Sequence, residues 1–282
     1  MKQLQTLFKS YTGTSAHTIT ELPSSGSNRR YFRMEGNKRT VIGTLGSCKE
    51  ENQAFIAIAM HFRKQGLSVP EVFCHNKDFS CYLQQDLGDV TLYNAVETGR
   101  SKGSYDVKEK ALLHKAMEAL PALQFKGADK LDFSVCYPQP DFDARMVSFD
   151  LNYFKYCFLK ATGLEFSEIQ LENDFQKLSE ILLHNASETF LYRDFQARNV
   201  MLVNGEPYFI DFQGGRKGPV YYDVASFVWQ ARANYSEELK EELIQTYLGA
   251  LKQFIPVDEN QFHRQLRHFV LFRTLQVLGA YG

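Results

Sequence analysis

Short runs of alternating apolar and polar residues fill the N-terminal third of the chain, a pattern typical of β-strands with one buried face. These runs lie at residues 16–22, 29–35, 39–45, 70–75 and 79–87. Residues 49–66 instead repeat their apolar positions at helical spacing, with Phe55, Ile58 and Phe62 on one face and Gly66 as a stop signal. The pattern predicts a small α+β unit of five strands and one helix.

After about residue 105 the spacing of the apolar positions becomes that of helices. Helices are predicted at residues 106–125, 141–163, 172–186, 222–235, 236–254 and 259–278. Pro121 is expected to kink or end the first of them, and residues 86–104 are rich in Gly, Asp and Ser. We therefore predict an α+β fold of two lobes. Residues 1–88 form a small antiparallel-sheet lobe with a hinge near residues 84–88, and residues 89–282 form a mostly helical lobe.

Composition and charge narrow the class of protein. The net charge is −1, which argues against a general nucleic-acid binder. Five scattered cysteines, none in a C-x-x-C pair, favour reduced thiols over a disulfide framework or a zinc site. No apolar run approaches the ~20 residues of a membrane span, and residues 1–20 are too polar for a signal peptide. We expect a cytoplasmic protein without membrane or nucleic-acid partners, and the sequence leaves its oligomeric state open.

The segment LYRDFQARNVMLVNGEPYFIDFQGG, residues 191–215, arranges polar side chains around a predicted hairpin. Asn204-Gly205 separates two short strand patterns and is a strong turn signal, because both residues tolerate positive φ. A three-residue loop would set Asn199 opposite Asp211, and a loop one residue shorter or longer would move this pairing by one position. An amide oxygen and a carboxylate would then meet at the open end of the hairpin, beside Asp194.

Oxygen donors grouped in this way suit Mg²⁺, which takes its remaining ligands from water and phosphate. The arrangement favours phosphoryl transfer from ATP. Asn199 and Asp211 would hold the metal on the β- and γ-phosphates, and Asp194 would accept the proton of an acceptor hydroxyl. Asp and Asn are also common turn residues, so the spacing alone is compatible with a purely structural hairpin.

Around these residues the sequence resembles the aminoglycoside phosphotransferase and choline kinase-like superfamily. YRDFQARN followed by FIDF is similar to its H-x-D-x-x-x-x-N and I-D-x motifs, and SSGSNRRYFRM to its phosphate-covering loop. RRYFR, DLGD and IDFQ are similar to the cell-wall amino-sugar kinases, which phosphorylate the anomeric hydroxyl of N-acetylmuramate or N-acetylglucosamine. The resemblance implies a protein kinase-like fold and a small-molecule kinase that uses ATP and Mg²⁺. It also implies further helical sequence beyond Gly282, so we expect the native chain to be longer.

The resemblance assigns roles to individual residues. Asp194 matches the catalytic base, Asn199 and Asp211 match the metal ligands, and Arg198 is the candidate for stabilising transferred charge. Asp223 matches a residue that braces the catalytic loop, and we group it with the acceptor site. The expected nucleotide contacts are Gly26, Ser27, Asn28 and Arg29 around the phosphate loop, and Gln84 and Asp86 in the hinge, whose backbone would bond adenine.

Two positions depart from the family pattern. Tyr192 stands where the family has His, a scaffold position at which Tyr could be tolerated. The third strand carries Gly43 or Thr44 where kinases of this fold usually have a Lys paired with a helix Glu, although Glu50 and Glu51 open the following helix. The candidates for the missing charge are Arg29, Arg30 and Lys49, with solvated surface as their alternative role.

The acceptor pocket is expected between the catalytic loop and the helical lobe. The predicted helix at residues 141–163 offers polar and aromatic side chains suited to a sugar, and Asp150 is the preferred contact. An ordinary amphipathic helix with Tyr in the core is the alternative. The acceptor is expected to be an amino sugar or an amino alcohol. Choline would need an aromatic cage, and the chain has enough Tyr for one. The preference for a sugar therefore rests on the resemblance.

Three other functions are alternatives to a small-molecule kinase. A protein kinase would carry Lys where Gln196 stands, and it would need an activation segment longer than the 11 residues between Asp211 and Asp223. The G-x-x-x-x-G-K-[ST] motif of Walker-type NTPases is absent from the sequence. The missing strand Lys leaves open a regulator of the same fold that binds nucleotide or sugar with little turnover.

Overall fold

A computed structural model describes residues 1–23, 29–37, 39–184 and 188–281. Its N-terminal part contains a five-stranded antiparallel sheet in the order β1-β2-β3-β5-β4. The strands of this sheet are β1 (Thr18–Leu22), β2 (Arg30–Glu35), β3 (Thr40–Leu45), β4 (Val72–His75) and β5 (Cys81–Gln85). All five lie within the predicted runs. The central strands β3 and β5 are buried on both faces, because a helix packs on each side of the sheet.

Two helices cover the two faces of this sheet. Helix α2 (Lys49–Lys64) was predicted, and its buried residues join the main core of the molecule. Helix α1 (Lys2–Thr12) was not predicted. It packs Leu4, Leu7, Phe8 and Tyr11 against the opposite face of the sheet, at the i, i+3, i+4, i+7 spacing of an amphipathic helix, so the sequence carries a helical signal that the prediction missed. The expectation of a single helix in this lobe was therefore wrong.

Helices dominate the rest of the chain. They are α3 (Leu92–Ala95), α4 (Glu97–Lys102), α5 (Val107–Ala128), α6 (Ala144–Tyr153), α7 (Glu168–Leu183), α8 (Tyr221–Val228), α9 (Glu237–Leu251) and α10 (Glu259–Tyr281). Among the residues that the structure describes, the remaining strands are β6 (Thr189–Leu191), β7 (Val200–Val203), β8 (Glu206–Phe209) and β9 (Arg216–Gly218). They form two small antiparallel pairs, β6 with β9 and β7 with β8. Within the described ranges, every helix is too short or too polar to cross a bilayer.

Several helix boundaries differ from the prediction. Helix α8 ends at Val228, whereas the prediction extended to residue 235, and α7 begins at Glu168, whereas the prediction began at residue 172. Helix α5 continues through Pro121 to Ala128, because Leu120, Pro121 and Leu123 are all buried and their packing offsets the hydrogen bond that proline removes. The long helix predicted at residues 141–163 is divided: α6 passes into a π-helical turn at Phe154–Leu159.

The main core joins the two parts of the molecule. Phe62 of α2 packs edge-to-face on Phe190 of β6, with ring centroids 4.9 Å apart. Phe55 of α2 stacks on Phe212, also at 4.9 Å. Because Phe212 follows directly on Asp211, α2 is packed against the segment that carries the predicted metal ligand.

Candidate active site

The hairpin of β7 and β8 has a two-residue loop, not the three-residue loop assumed for the pairing. Val200 pairs with Phe209 and Val203 with Glu206. The loop residues Asn204 (φ 53°) and Gly205 (φ 79°) both adopt the left-handed conformation of a type I′ turn. Extended outward, this register sets Asn199 opposite Ile210, so Asp211 lies one position beyond the pair.

Asn199 lies in a 3₁₀ turn, Ala197–Asn199, immediately before β7. Its Nδ2 donates to the carbonyl of Asp194 at 2.8 Å. Its own carbonyl accepts a hydrogen bond from the N–H of Ile210 at 3.0 Å. The first bond fixes the side-chain nitrogen of Asn199 and leaves its side-chain oxygen as the group that can coordinate a cation. The second bond joins the backbone of Asn199 to the residue before Asp211.

Asp211 adopts φ 66°, a left-handed conformation that is uncommon for a non-glycine residue and often marks a functional site. Its Oδ1 accepts a hydrogen bond from Nε2 of Gln213 at 2.8 Å, and its side chain is half-buried. In the described part of the chain, no group of three or more His, Cys, Asp or Glu could hold a metal. An amide oxygen and one carboxylate nevertheless fit Mg²⁺, which completes its shell with waters and phosphate oxygens.

Asp194 follows β6 in the same loop. Its backbone carbonyl is held by Asn199, whereas among residues 1–23, 29–37, 39–184 and 188–281 no hydrogen bond or ion pair engages its carboxylate. The side chain is half-buried. A carboxylate that is fixed through its backbone and has free oxygens can accept a proton.

Asp223 braces the backbone that precedes Asp194. Its side chain is 0% exposed and accepts the N–H groups of Tyr192 and Arg193, both at 2.9 Å. Gln124 donates a third bond at 3.3 Å. Burial raises the pKa of Asp223 to about 7, and the hydrogen bonds from Tyr192, Arg193 and Gln124 oppose that rise. The buried carboxylate of Asp223 holds the backbone that precedes Asp194 through these bonds, whereas its grouping with the acceptor site stays a prediction.

Tyr192 occupies the family's His position and links two parts of the site. Its ring packs edge-on against Phe195 and Phe212. Its hydroxyl donates to the carbonyl of Ile210, the residue before Asp211. The phenol therefore ties the loop that carries Asp194 to the segment that carries Asp211, the predicted metal ligand.

Replacing Tyr192 with Phe is expected to lower the free energy of unfolding by about 1–2 kcal/mol, because the buried hydroxyl loses its bond to the Ile210 carbonyl. We also expect a few-fold loss of kcat, since Asp211 is less firmly placed. Urea unfolding and steady-state kinetics measure both effects. Tyr192→His, which installs the family residue, is the matched control and should retain more activity. A Phe variant equal to wild type in stability would show that the bond contributes nothing.

The other predicted catalytic and acceptor residues are placed as follows. Arg198 is exposed, and no hydrogen bond or ion pair engages it among the residues that the structure describes, so its role stays a prediction. Asp150 on α6 is 5% exposed and accepts a hydrogen bond from Gln276 at 2.8 Å. Burial raises the pKa of Asp150, and the nearby Arg193 is the largest opposing influence. Asp150 thus lies close to the residue that precedes Asp194.

Only some of the residues predicted to contact the nucleotide lie in the part of the chain that the structure describes. Gly26, Ser27 and Asn28 lie outside the described residues. The Gln84 side chain is buried and donates to the hydroxyl of Thr44 at 3.4 Å. The Asp86 carboxylate accepts two hydrogen bonds from Arg33, at 2.6 and 3.0 Å. Both hinge side chains are therefore engaged within the protein, and adenine binding by the hinge backbone remains a prediction.

Sequence reasoning missed two supporting glutamines. Gln213 bonds the Asp211 carboxylate. Gln124, fully buried in α5, bonds Asp223 and also accepts a hydrogen bond from the hydroxyl of Tyr247 at 2.6 Å. An amide inside the apolar run PALQF was the available signal for Gln124, because a buried polar side chain needs partners.

Comparisons with known proteins show the family and the fold of this chain. A model of the phosphotransferase enzyme family matches residues 18–257. The chain is 27% identical over 274 residues to a protein named N-acetylmuramate/N-acetylglucosamine kinase from Neisseria meningitidis serogroup B, a match that covers 94% of this chain and 78% of that protein.

Two solved structures show the fold. An ethanolamine kinase from Plasmodium vivax superposes with a TM-score of 0.64 at 13% identity, covering 92% of this chain and 74% of that one. A thermostable mutant of aminoglycoside phosphotransferase APH(4)-Ia, in ternary complex with ADP and hygromycin B, gives a TM-score of 0.56 at 16% identity and covers 99% of each chain. The likeness confirms the predicted α+β fold, a small antiparallel-sheet lobe beside a mostly helical one.

Proposed function

This chain belongs to the phosphotransferase enzyme family and is a small-molecule kinase; from that premise we propose that it transfers the γ-phosphate of ATP to a hydroxyl of an N-acetylated amino sugar. The observation that carries the proposal is one connected set of contacts. The Asn199 amide holds the Asp194 carbonyl, and the Asn199 carbonyl holds Ile210, next to Asp211. A proton acceptor and two oxygen donors for a cation are thus fixed on the same stretch of backbone.

Each residue of this set has a task in phosphoryl transfer. The Asp194 carboxylate accepts the proton of the acceptor hydroxyl and directs its oxygen toward phosphorus. Asn199 and Asp211 would hold Mg²⁺, which neutralises charge on the phosphates when bound. Asp223 holds the backbone N–H groups of Tyr192 and Arg193 and so positions Asp194. A reaction that consumes ATP fits the cytoplasmic location that we expect for this protein.

The surroundings of Asp150 favour a sugar over an amino alcohol. Arg193, Arg273 and Arg216 all lie close enough to Asp150 to oppose the rise of its pKa that burial causes. The charge of Asp150 is thus already offset by arginines and is not left uncompensated for the ammonium group of choline or ethanolamine, which instead calls for an aromatic cage. Sugar hydroxyls can bond to Asp150, and a carboxylate such as that of N-acetylmuramate can bond to an arginine. The named relative adds an independent reason, because its name gives both amino sugars as acceptors.

A panel of acceptors tests the proposal. Purified protein with ATP and Mg²⁺ is assayed for ADP release with N-acetylmuramate, N-acetylglucosamine, choline, ethanolamine and an aminoglycoside. We expect kcat/KM to be about 10²-fold higher for the N-acetylated sugars than for the amino alcohols, the discrimination that acceptor hydrogen bonds can supply. Phosphorus NMR of the product should show a phosphate on the anomeric oxygen. Faster turnover of choline or ethanolamine would contradict the proposed acceptor class.

A further inference from the structure

The third strand offers no cation to the nucleotide site. Kinases generally place a Lys on this strand, paired with a Glu of the following helix, to hold nucleotide phosphates. Gly43 faces α1, since a Cβ there would lie 2.7 Å from Cδ2 of Leu4. Successive strand residues face opposite sides, so Thr44 faces α2, and it is 0% exposed. Thr44 therefore occupies the position at which other kinases would carry the third-strand Lys.

Arg29 reaches the same position from the neighbouring strand. Thr44 pairs with Tyr31 of β2 on one side and with Tyr82 of β5 on the other. The Arg29 guanidinium lies near the hydroxyls of Tyr31 and Tyr82 and interacts electrostatically with both. It also lies over the ring of Phe55 of α2, with Cζ 5.6 Å from the centroid. The guanidinium thus lies above the Thr44 row, which consists of Tyr31, Thr44 and Tyr82 side by side across the sheet.

Arg29 also pairs with the helix Glu. Its Nη2 donates to the carbonyl of Glu51 at 3.0 Å and lies 3.5 Å from the Glu51 carboxylate. Glu51 is in the first turn of α2. The pairing of a cation with a glutamate of this helix is therefore present, although the cation comes from the residue just before β2 and not from β3.

The same residues connect Arg29 to the predicted metal site. Phe55, beneath the guanidinium, stacks on Phe212, the residue after Asp211. Burial raises the pKa of the Tyr31 hydroxyl, and the charge of Asp211 contributes to that rise. Tyr31 is thus close to Arg29 and to Asp211. A phosphate chain whose metal is held by Asp211 would pass within reach of Arg29.

The other two candidate cations are engaged at the surface. Arg30 is exposed and forms two hydrogen bonds with Glu21, both at 2.8 Å. Lys49 is exposed and pairs with Asp78 at 3.0 Å. Arg30 alternates with Tyr31 along β2 and so lies on the sheet face opposite Thr44, and Lys49, at the start of α2, is held at the surface by Asp78.

We propose that Arg29 replaces the third-strand Lys of other kinases, held by Glu51 and binding the α- and β-phosphates of the nucleotide. The inference rests on the proposed function, because it assumes a nucleotide substrate. A guanidinium suits the task, since its planar set of N–H groups can donate to a phosphate and to Glu51 together. Glu51 acts as a positioning residue.

Calorimetry with ADP and with adenosine tests the role of Arg29, because only ADP carries phosphates. In Arg29→Gln we expect ADP affinity to fall about 10- to 100-fold, as for the loss of hydrogen bonds to a charged group, while adenosine binds as to wild type. Arg29→Lys should keep part of the ADP affinity. Arg30→Gln removes the neighbouring guanidinium and is the matched control, with no change expected for either ligand.

Two further measurements separate phosphate binding from folding. Circular dichroism checks each variant for native structure, and Thr44→Lys added to Arg29→Gln should restore ADP affinity by returning the cation to the strand. An unchanged ADP affinity in Arg29→Gln, or equal losses for ADP and adenosine, would overturn the inference while leaving the kinase intact. If wild type bound no ADP at all, the proposed function itself would fail, and this inference with it.

Discussion

Replacing Asp194 with Ala is expected to lower kcat by about 10²- to 10⁴-fold, the usual contribution of a general base, with ADP binding unchanged. The structure gives the reason for this separation. The carboxylate has no hydrogen bond or ion pair within the described ranges, so its removal leaves the loop in place. The backbone carbonyl, which Asn199 holds, is retained in the variant. Acceptor-dependent ADP release and calorimetry with ADP measure the two quantities.

Two control variants show whether the loss of kcat comes from the missing proton acceptor or from a change in side-chain size or surface charge. Asp194→Asn keeps the size of the side chain but cannot accept the proton, so it should lose nearly as much as Ala. Asp174→Ala removes an exposed carboxylate whose partner is Lys177 on the surface of α7, and it should leave kcat unchanged. If wild type and Asp194→Ala released ADP at the same rate, Asp194 would not be the base, and the activity measured would come from elsewhere.

The hairpin shows how far the sequence alone can place this site. Asn204-Gly205 correctly predicts a turn between two strands, because few residue pairs adopt positive φ so readily. The same dipeptide is compatible with loops of two or three residues, and one residue of difference moves Asp211 from opposite Asn199 to the next position. Hence the sequence predicts which residues form the site, whereas their register depends on the turn geometry.

Contacts between distant segments are the part that the sequence could not supply. Arg29, Arg30 and Lys49 are equivalent as charges in the sequence. Burial is what separates them: Arg29 is 2% exposed, whereas the other two are exposed at the surface. The hydroxyl of Tyr192 is a similar case, since its partner Ile210 is brought to it by the hairpin. Local patterns predict helices and turns, whereas pairings across the sheet and the core depend on the whole fold.

Replacing Asp211 with Asn is expected to lower kcat/KM by about 10³-fold, which corresponds to ~4 kcal/mol of lost stabilisation. Asn is the informative change because Asp211 adopts φ 66°, a conformation that Asn tolerates and Ala does not. The variant should therefore fold normally and bind Mg²⁺ weakly, since an amide replaces the single carboxylate of the predicted metal site. Thermal unfolding provides a readout that is independent of turnover. Wild type should gain more stability from ADP with Mg²⁺ than from ADP with EDTA, and in Asp211→Asn this difference should largely disappear. Persistence of the full Mg²⁺-dependent gain in the variant would mean that the metal is held elsewhere, and Asn199 would then lose its proposed role as well.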